Sequence, residues 1–427
     1  MSRNQSDGRL TKLEKSWILY DVGNSAFTML ACSLIPIWFK TLAVGTNPGQ
    51  ISSDRATAYW ALLTSAVTIA TAVLGPVLGT FMDYEGRKKK FFTVTLLIGV
   101  IGCIAAGFSR TWGIFLLLYA VSRAAYSITL LVYDAMLGDV TTDDRLDAVS
   151  TYGYGWGYIG SCAPFLAALG AYILGPDMLG KISNRMTMLI GFGVTGIWWF
   201  AVTIPLLRNY KQTHFVPKES HTVRHTFRKL GRTAVRICTE DRKVMWFLIA
   251  FFLYIDGVGT IIDNCINVGT DLGLSTVGQV VTLLLTQVVA FAFSLLFVRL
   301  TRKYRTVTLI KVCILGYFAV CLYALTLHSI LGFAVLAFGV GMFQGSIQSL
   351  SRSYYTKIVP KDRLGEYFGI YDIFSKGASF LGSAVLGVVK LMGGSANIAV
   401  ASLAVFFILG FFFLRIADRV QERRAEL

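Results

Sequence analysis

Charge is scarce in this chain. Only 15% of its 427 residues are Asp, Glu, Lys or Arg, against roughly a quarter in a soluble domain. Histidine is rarer still, with four residues, and proline numbers eight. The seven cysteines are scattered, with no Cys-x-x-Cys pair. That distribution argues against a disulfide framework or a zinc site. His221 and His225 stand four apart, but no third ligand accompanies them. No Gly-x-x-x-x-Gly-Lys-Ser/Thr phosphate loop occurs, so the chain brings no nucleotide motor of its own. Gly155-Trp156-Gly157-Tyr158-Ile159-Gly160 matches a dinucleotide fingerprint in spelling only. No strand precedes it and it lies within an apolar run, where small residues let helices approach closely. No nucleophile and base stand at a catalytic spacing. The sequence therefore implies no enzyme, metal or cofactor.

What remains is long apolar runs. Hydrophobic residues make up 55% of the chain and mean hydropathy is +0.61. A bilayer-crossing helix needs about 20 mostly apolar residues. Twelve such runs are present, near 17–40, 57–82, 91–108, 112–138, 149–174, 186–207, 244–267, 278–299, 307–327, 329–351, 366–391 and 395–415. The expectation is an all-α membrane protein with twelve transmembrane helices. The net charge of +16 could suggest nucleic acid, but its placement points to a bilayer. With the N-terminus inside, 31 of the 40 Lys and Arg fall on one side and 6 on the other. That asymmetry puts both termini in the cytoplasm, and the basic side suits anionic lipid. Met1–Lys15 is polar without a signal-peptide core, so the first span is expected to direct insertion.

The longest polar interruption divides the chain. A tail (1–16), a six-helix bundle (17–207), a linker (208–243), a second six-helix bundle (244–415) and a tail (416–427) are expected. Within the linker, Val223, Phe227, Leu230, Ala234 and Ile237 recur at helical spacing, with Arg224, Arg228, Lys229, Arg232 and Arg236 mainly on the other faces. This reads as a basic amphipathic helix at the membrane surface. Asp144-Arg145-Leu146 before span five is echoed by Asp362-Arg363-Leu364 before span eleven. Such echoes suggest two parallel repeats around a central site.

Ionisable groups at membrane depth cost about 2.5–3.5 kcal/mol or more and mark functional positions. Asp21, Asn24, Ser25 and Thr28 form one helical stripe in span one. Span four carries Arg123, Tyr126 and Ser127, then Asp134 near its end. Span seven carries Asp256, Thr260, Asp263, Asn264 and Asn267; span ten carries Gln344, Gln348, Ser351 and Arg352. In span eleven, Asp372 and Lys376 stand at i, i+4, where they can neutralise each other. The expected cavity set is Asp21, Asn24, Arg123, Asp256, Asp263, Gln344, Gln348, Asp372 and Lys376. Asp134 and Arg352 are expected at a cytoplasmic gate, together with Gly79, Asp83, Gly86, Arg87 and Lys88 of the loop between spans two and three. A guanidinium takes a carboxylate in bidentate fashion, so a cavity of both signs suits a zwitterion such as an amino acid or short peptide.

The loop Gly79-Thr80-Phe81-Met82-Asp83-Tyr84-Glu85-Gly86-Arg87-Lys88 resembles the signature loop of the major facilitator superfamily. Within that superfamily the chain resembles the vacuole effluxer-like, autophagy-related transporters. The matching stretches are Tyr20–Phe27, Phe252–Gly257, Gly341–Ser353 and Gly369–Gly382, with Tyr133–Leu137 at the end of span four. The resemblance implies the major facilitator fold, two pseudo-symmetric six-helix bundles, working as a secondary transporter. It implies a small-molecule substrate, with protons or sodium as possible coupling ions, in a monomer embedded in lipid. Eukaryotic members are associated with amino-acid export from the vacuole. The short tails and compact loops look bacterial, which places this chain in the plasma membrane. Span five has Ser161-Cys162-Ala163-Pro164 where antiporters carry Gly-Pro-x-x-Gly-Gly, so antiport finds no support. A drug or lipid exporter of the same fold is the alternative. A receptor that moves nothing is a further one, with the linker as its docking surface.

Overall fold

The computed structural model describes residues 9–174, 183–217, 223–271, 276–327, 329–378 and 380–425. His221 and Ser379 lie outside these residues. The first half of the chain forms α1 (Lys12–Cys32), α2 (Leu34–Ala43), α3 (Ser53–Met82), α4 (Arg87–Gly107), α5 (Trp112–Val140), α6 (Leu146–Leu174) and α7 (Asn184–Asn209). A linker helix α8 (Val223–Thr239) follows. The second half forms α9 (Arg242–Asp271), α10 (Thr276–Leu300), α11 (Thr306–Ala324), α12 (Ile330–Ile358), α13 (Leu364–Gly377), α14 (Phe380–Leu391), α15 (Ala396–Ser402) and α16 (Ala404–Ala425). Among the described residues, extended structure is limited to two isolated bridges, Val44 with Ile51 and Tyr84 with Val216.

Among the described residues, eleven helical segments are long and apolar enough to cross a bilayer, and the bent pair α1/α2, taken as one span, supplies a twelfth. The bend is 43° at Ser33, whose hydroxyl donates to the Met29 carbonyl. Pro36 has no N–H to offer the preceding turn, so the α-helical ladder is interrupted there. Span eleven also breaks, between α13 and α14, around Ala378, whose backbone is extended. Several helices outrun their apolar segments. α12 continues to Ile358 and α16 to Ala425; Lys357 near the end of α12 pairs with Asp147, and Asp418 on α16 pairs with Arg305 and Lys311.

An even number of spans brings both ends of the chain and the linker to one face, here called the linker face. Large apolar side chains such as Leu62, Ile69, Val73, Ile101, Leu117 and Ile197 remain exposed around the bundle, as a lipid-facing surface requires. Inside the first half, Trp17, Tyr20, Phe27, Phe92, Tyr133 and Trp199 are buried together; inside the second, Phe247, Phe251, Tyr254, Tyr317, Tyr355 and Phe407. α1 packs on α6 and α7, and α9 on α16. The halves meet chiefly through α3 with α13 and through α6 with α10 and α12. No comparable packing joins α1 or α2 to α9 among the described residues. α8 bridges the ends of α3 and α9, burying Thr233 and Ile237 and exposing Arg232, Val235 and Arg236.

Candidate functional site

The linker face is sealed in layers. In the outermost layer, α3 crosses α13 backbone to backbone. A Cβ on Gly79 would overlap the Gly365 carbonyl oxygen and lie 2.7 Å from its carbon. A Cβ on Gly369 would sit 2.9 Å from the Gly75 oxygen. Only glycine allows this approach. The close crossing places the buried carboxylate of Asp83 at the N-terminus of α13. There Oδ1 accepts the Gly365 N–H at 2.7 Å and Oδ2 the Glu366 N–H at 2.8 Å. These are two of the N–H groups a helix leaves unpaired, at its positive end. Burial drives the Asp83 carboxyl up to about 7, against the opposing pull of Lys88 and the two amides.

The rest of that loop faces its own half. Gly86 adopts φ +67° and starts α4. Arg87 stacks over the Tyr84 ring at 5.5 Å. Lys88 is fully buried and donates to Asp139 Oδ2 at 2.9 Å. Asp139, near the end of α5, also accepts from Tyr210, Thr213 and the His214 backbone. It pins the start of the linker to the first half. Sequence reading passed over Asp139, although an acid near the end of span four is the natural counterpart of a basic loop.

Beside this crossing, Asp147 at the start of α6 accepts from Thr306, Ser353 and Lys357, all of the second half, at 2.6 Å each. Asp143 pairs with Lys361 alongside. Asp147 carried no sequence signal, because it reads as one more acid in a polar loop.

One turn deeper lies Arg352. It is six residues from the end of α12, about 9 Å along the helix axis. Its guanidinium reaches wholly into the first half. It donates to Asp134 at 2.9 Å and to the Ser150 hydroxyl and carbonyl at 3.0 and 3.1 Å. Asp21 stands 3.6 Å away. Trp17 and Tyr154 present ring faces at 4.6 Å, and Tyr133 does so at 5.3 Å. Asp21 is nearly enclosed, and receives hydrogen bonds from Tyr133 at 3.0 Å and Asn24 at 3.3 Å. Asp21, placed by sequence in the cavity, and Asp134 and Arg352, placed at the gate, thus share one cluster. Nothing in the sequence indicates that Trp17, Tyr133 and Tyr154 surround the arginine, since they come from three helices.

Asp372 and Lys376 pair along α13, with the Asp372 carboxylate against Gly75. Above them, Gln348 donates to the Gln344 carbonyl and the Tyr158 hydroxyl, and Thr151 meets Ser349 across the halves. Asp256 is fully buried and accepts the Gly382 N–H at 2.9 Å. It thereby satisfies the N-terminus of α14 at the break in span eleven.

Toward the opposite face the halves part. Arg123 lies eleven residues into α5, about 17 Å from that end, and Asp263 eight residues from the end of α9, about 12 Å. Arg123 is half-buried and Asp263 exposed. The two interact electrostatically across the halves. Cys32, at the bend of span one, is exposed and interacts with both. Tyr126 lies 5.8 Å from the guanidinium and hydrogen-bonds Thr28 at 2.6 Å. Nearby, Ser127 donates to the buried Thr71 hydroxyl at 3.4 Å. The arrangement sets one charge of each sign toward the end of the bundle away from the Arg352 cluster.

A family model described as "Vacuole effluxer Atg22 like" matches residues 11–426. The uncharacterized MFS-type transporter YxiO of Bacillus subtilis is 39% identical over 409 residues, 95% of each chain. Autophagy-related protein 22-1 of Aspergillus niger is 28% identical over 308 residues. That match spans 65% of this chain and 48% of the fungal protein. Among solved structures, the human organic anion transporter MFSD10 superposes with a TM-score of 0.71 at 13% identity, over 94% of this chain and 98% of that one. The transporter FucP in its outward conformation gives 0.69 at 14% identity, over 95% and 97%. These likenesses show the major facilitator fold.

Proposed function

The chain belongs to the vacuole effluxer Atg22-like family of transporters with the major facilitator fold, and on that premise we propose that it carries a small zwitterionic solute by alternating access. An amino acid or short peptide fits. What supports this is that Arg123 and Asp263, from opposite halves, lie within electrostatic reach of each other at the end of the bundle away from the Arg352 cluster. Arg123 would take the carboxylate and Asp263 the ammonium group. Binding that draws on both halves favours their closure over the solute, which is what moves the site from one side to the other. With 31 of 40 basic residues at the linker face, that face is cytoplasmic. The conformation is then outward-facing, in a bacterial plasma membrane, with the monomer as the working unit. Asp21, Asn24, Gln344 and Gln348 would line the path as the seal opens. Gly79, Asp83, Gly86, Arg87, Lys88, Asp134 and Arg352 would form or brace the gate.

An organic anion would need Arg123 alone, and an apolar drug or lipid neither charge. The purified protein in liposomes distinguishes these. Flux is measured for neutral amino acids, their N-acyl derivatives and their amides. The zwitterions should be carried best. Arg123→Gln and Asp263→Asn should each reduce their flux about 10–100-fold, the loss of one charged hydrogen-bonding partner. Unchanged zwitterion flux in both variants, or faster movement of the N-acyl forms by the native protein, would overturn the reading.

A further inference from the structure

We infer that Asp21 and Asp134 together hold one transported proton beside Arg352. This deepens the transporter reading and rests on it. Asp21 and Arg352 are buried and Asp134 mostly so, and the charges of the cluster do not balance. Three carboxylates share the layer: Asp21 on α1, Asp134 on α5 and Asp372 on α13. Two cations meet them. Lys376 pairs with Asp372 on its own helix, leaving Arg352 against both Asp134 and Asp21, at 2.9 and 3.6 Å. The other polar neighbours are neutral: Tyr133, Tyr154, Asn24 and Ser150. Asp134 also feels the negative charges of Asp21 and Asp372. With both acids ionised, one surplus negative charge is buried. Its attraction to Arg352 is offset by repulsion from its partner carboxylate, so desolvation decides against it. A proton restores neutrality.

The contacts also select the proton over sodium. A hard cation needs a shell of oxygen acceptors. Asp21 is surrounded instead by donors: the Tyr133 hydroxyl, the Asn24 amide and the guanidinium. The polar stripe of α1 leads to it from the open end, through Thr28 and Asn24. Opening the linker face withdraws α12, and Arg352 with it, from α1, α5 and α6. Water then hydrates both carboxylates, and the proton passes to water on that side. The proton is taken from the open end and delivered at the linker face, with no other change of bonding.

The test is infrared difference spectroscopy of the lipid-reconstituted protein during a pH titration without solute. Every sample carries Asp83→Asn, which removes the acid at the α3–α13 crossing whose carboxyl burial pushes up to about 7. The parent should show a protonated-carboxyl stretch from the cluster. Asp21→Asn should lose it, and so should Asp134→Asn, because either change leaves one carboxylate balanced by Arg352. Asp134→Glu should restore it and thereby report an intact fold. Persistence of the band in both asparagine variants, its loss in only one, or its abolition by exchanging potassium for sodium overturns the assignment. No solute is needed, so failure here leaves the zwitterion reading standing. An intact band without zwitterion flux at any pH sinks that reading alone.

Discussion

Gly79→Ala should unseal the linker face. The new Cβ would lie 2.7 Å from the Gly365 carbonyl carbon, whereas carbons rest at about 3.5–4.0 Å. The obstacle is backbone, so no side chain can turn away, and α3 and α13 must separate by about 1 Å. That movement stretches both Asp83 contacts, now 2.7 and 2.8 Å, past hydrogen-bonding range. Overpacking costs roughly 1–3 kcal/mol, and each charge-assisted bond about 1.5–3 kcal/mol. Water regains part of the second loss once the face opens. A net shift of about 3 kcal/mol corresponds to roughly a hundredfold change in the sealed-to-open ratio. Spin labels at Lys90→Cys and Lys303→Cys, exposed positions of the two halves at this face, report it as a longer interspin distance. The background carries serine at Cys32, Cys238 and Cys265. Gly113→Ala, with nothing within 4 Å of its added carbon, should leave the distribution alone. If Gly79→Ala matched the parent, the glycine crossing would not be what closes this face.

Three further outcomes are expected. Cys32 should react with a membrane-impermeant thiol reagent added from outside, in a Cys238→Ser and Cys265→Ser background, and a transported solute should slow the reaction; labelling only after permeabilisation would contradict the outward-facing assignment. Lys88→Met should lower thermal stability by about 3–5 kcal/mol, the usual result of stripping one partner from a buried pair, and equal melting temperatures would show that Tyr210, Thr213 and His214 hold Asp139 without it. Asp83 should make sealing pH-dependent: its carboxyl is pushed to about 7 when buried but would sit near 3.9 when hydrated, so the sealed state binds the proton more tightly. Sealing is therefore favoured as pH falls through 7 and weakened as it rises; the spin-label distances of Asp83→Asn should lose that component.

Much of the fold was legible because lipid imposes a single rule, about 20 apolar residues per crossing, and the chain obeys it twelve times. The interruptions were harder to read. The bend at Ser33 falls inside an apolar run marked only by Pro36, and the break at Ala378 just after the Asp372/Lys376 pair, and composition cannot show which of such features makes a helix let go of its ladder. Stripes of polar residues identified the helices that carry charge. They could not say which stripe meets which. Asp21 and Asp256 look equivalent in sequence, each an acid in the opening span of its half. The structure sets one beside an arginine from the far half and the other on the N-terminus of α14. That difference comes from how α12 and α14 are seated. Lys88 and Arg87 are likewise neighbours in sequence with unlike fates, one drawn into the interior by Asp139 and the other laid on an aromatic ring.

The bend of span one divides the labour of a single helix. Its inner segment, α1, is clamped through Trp17 and Asp21 to the cluster at the base, while α2 beyond Ser33 packs against α3 and α5. On the proposed transport reading, the joint at Ser33 is where the upper piece would turn while the lower stays seated. Trapping of the proposed cargo would then draw on the ten residues of α2. Stiffening that joint should slow the trapping step and leave the resting structure as it is.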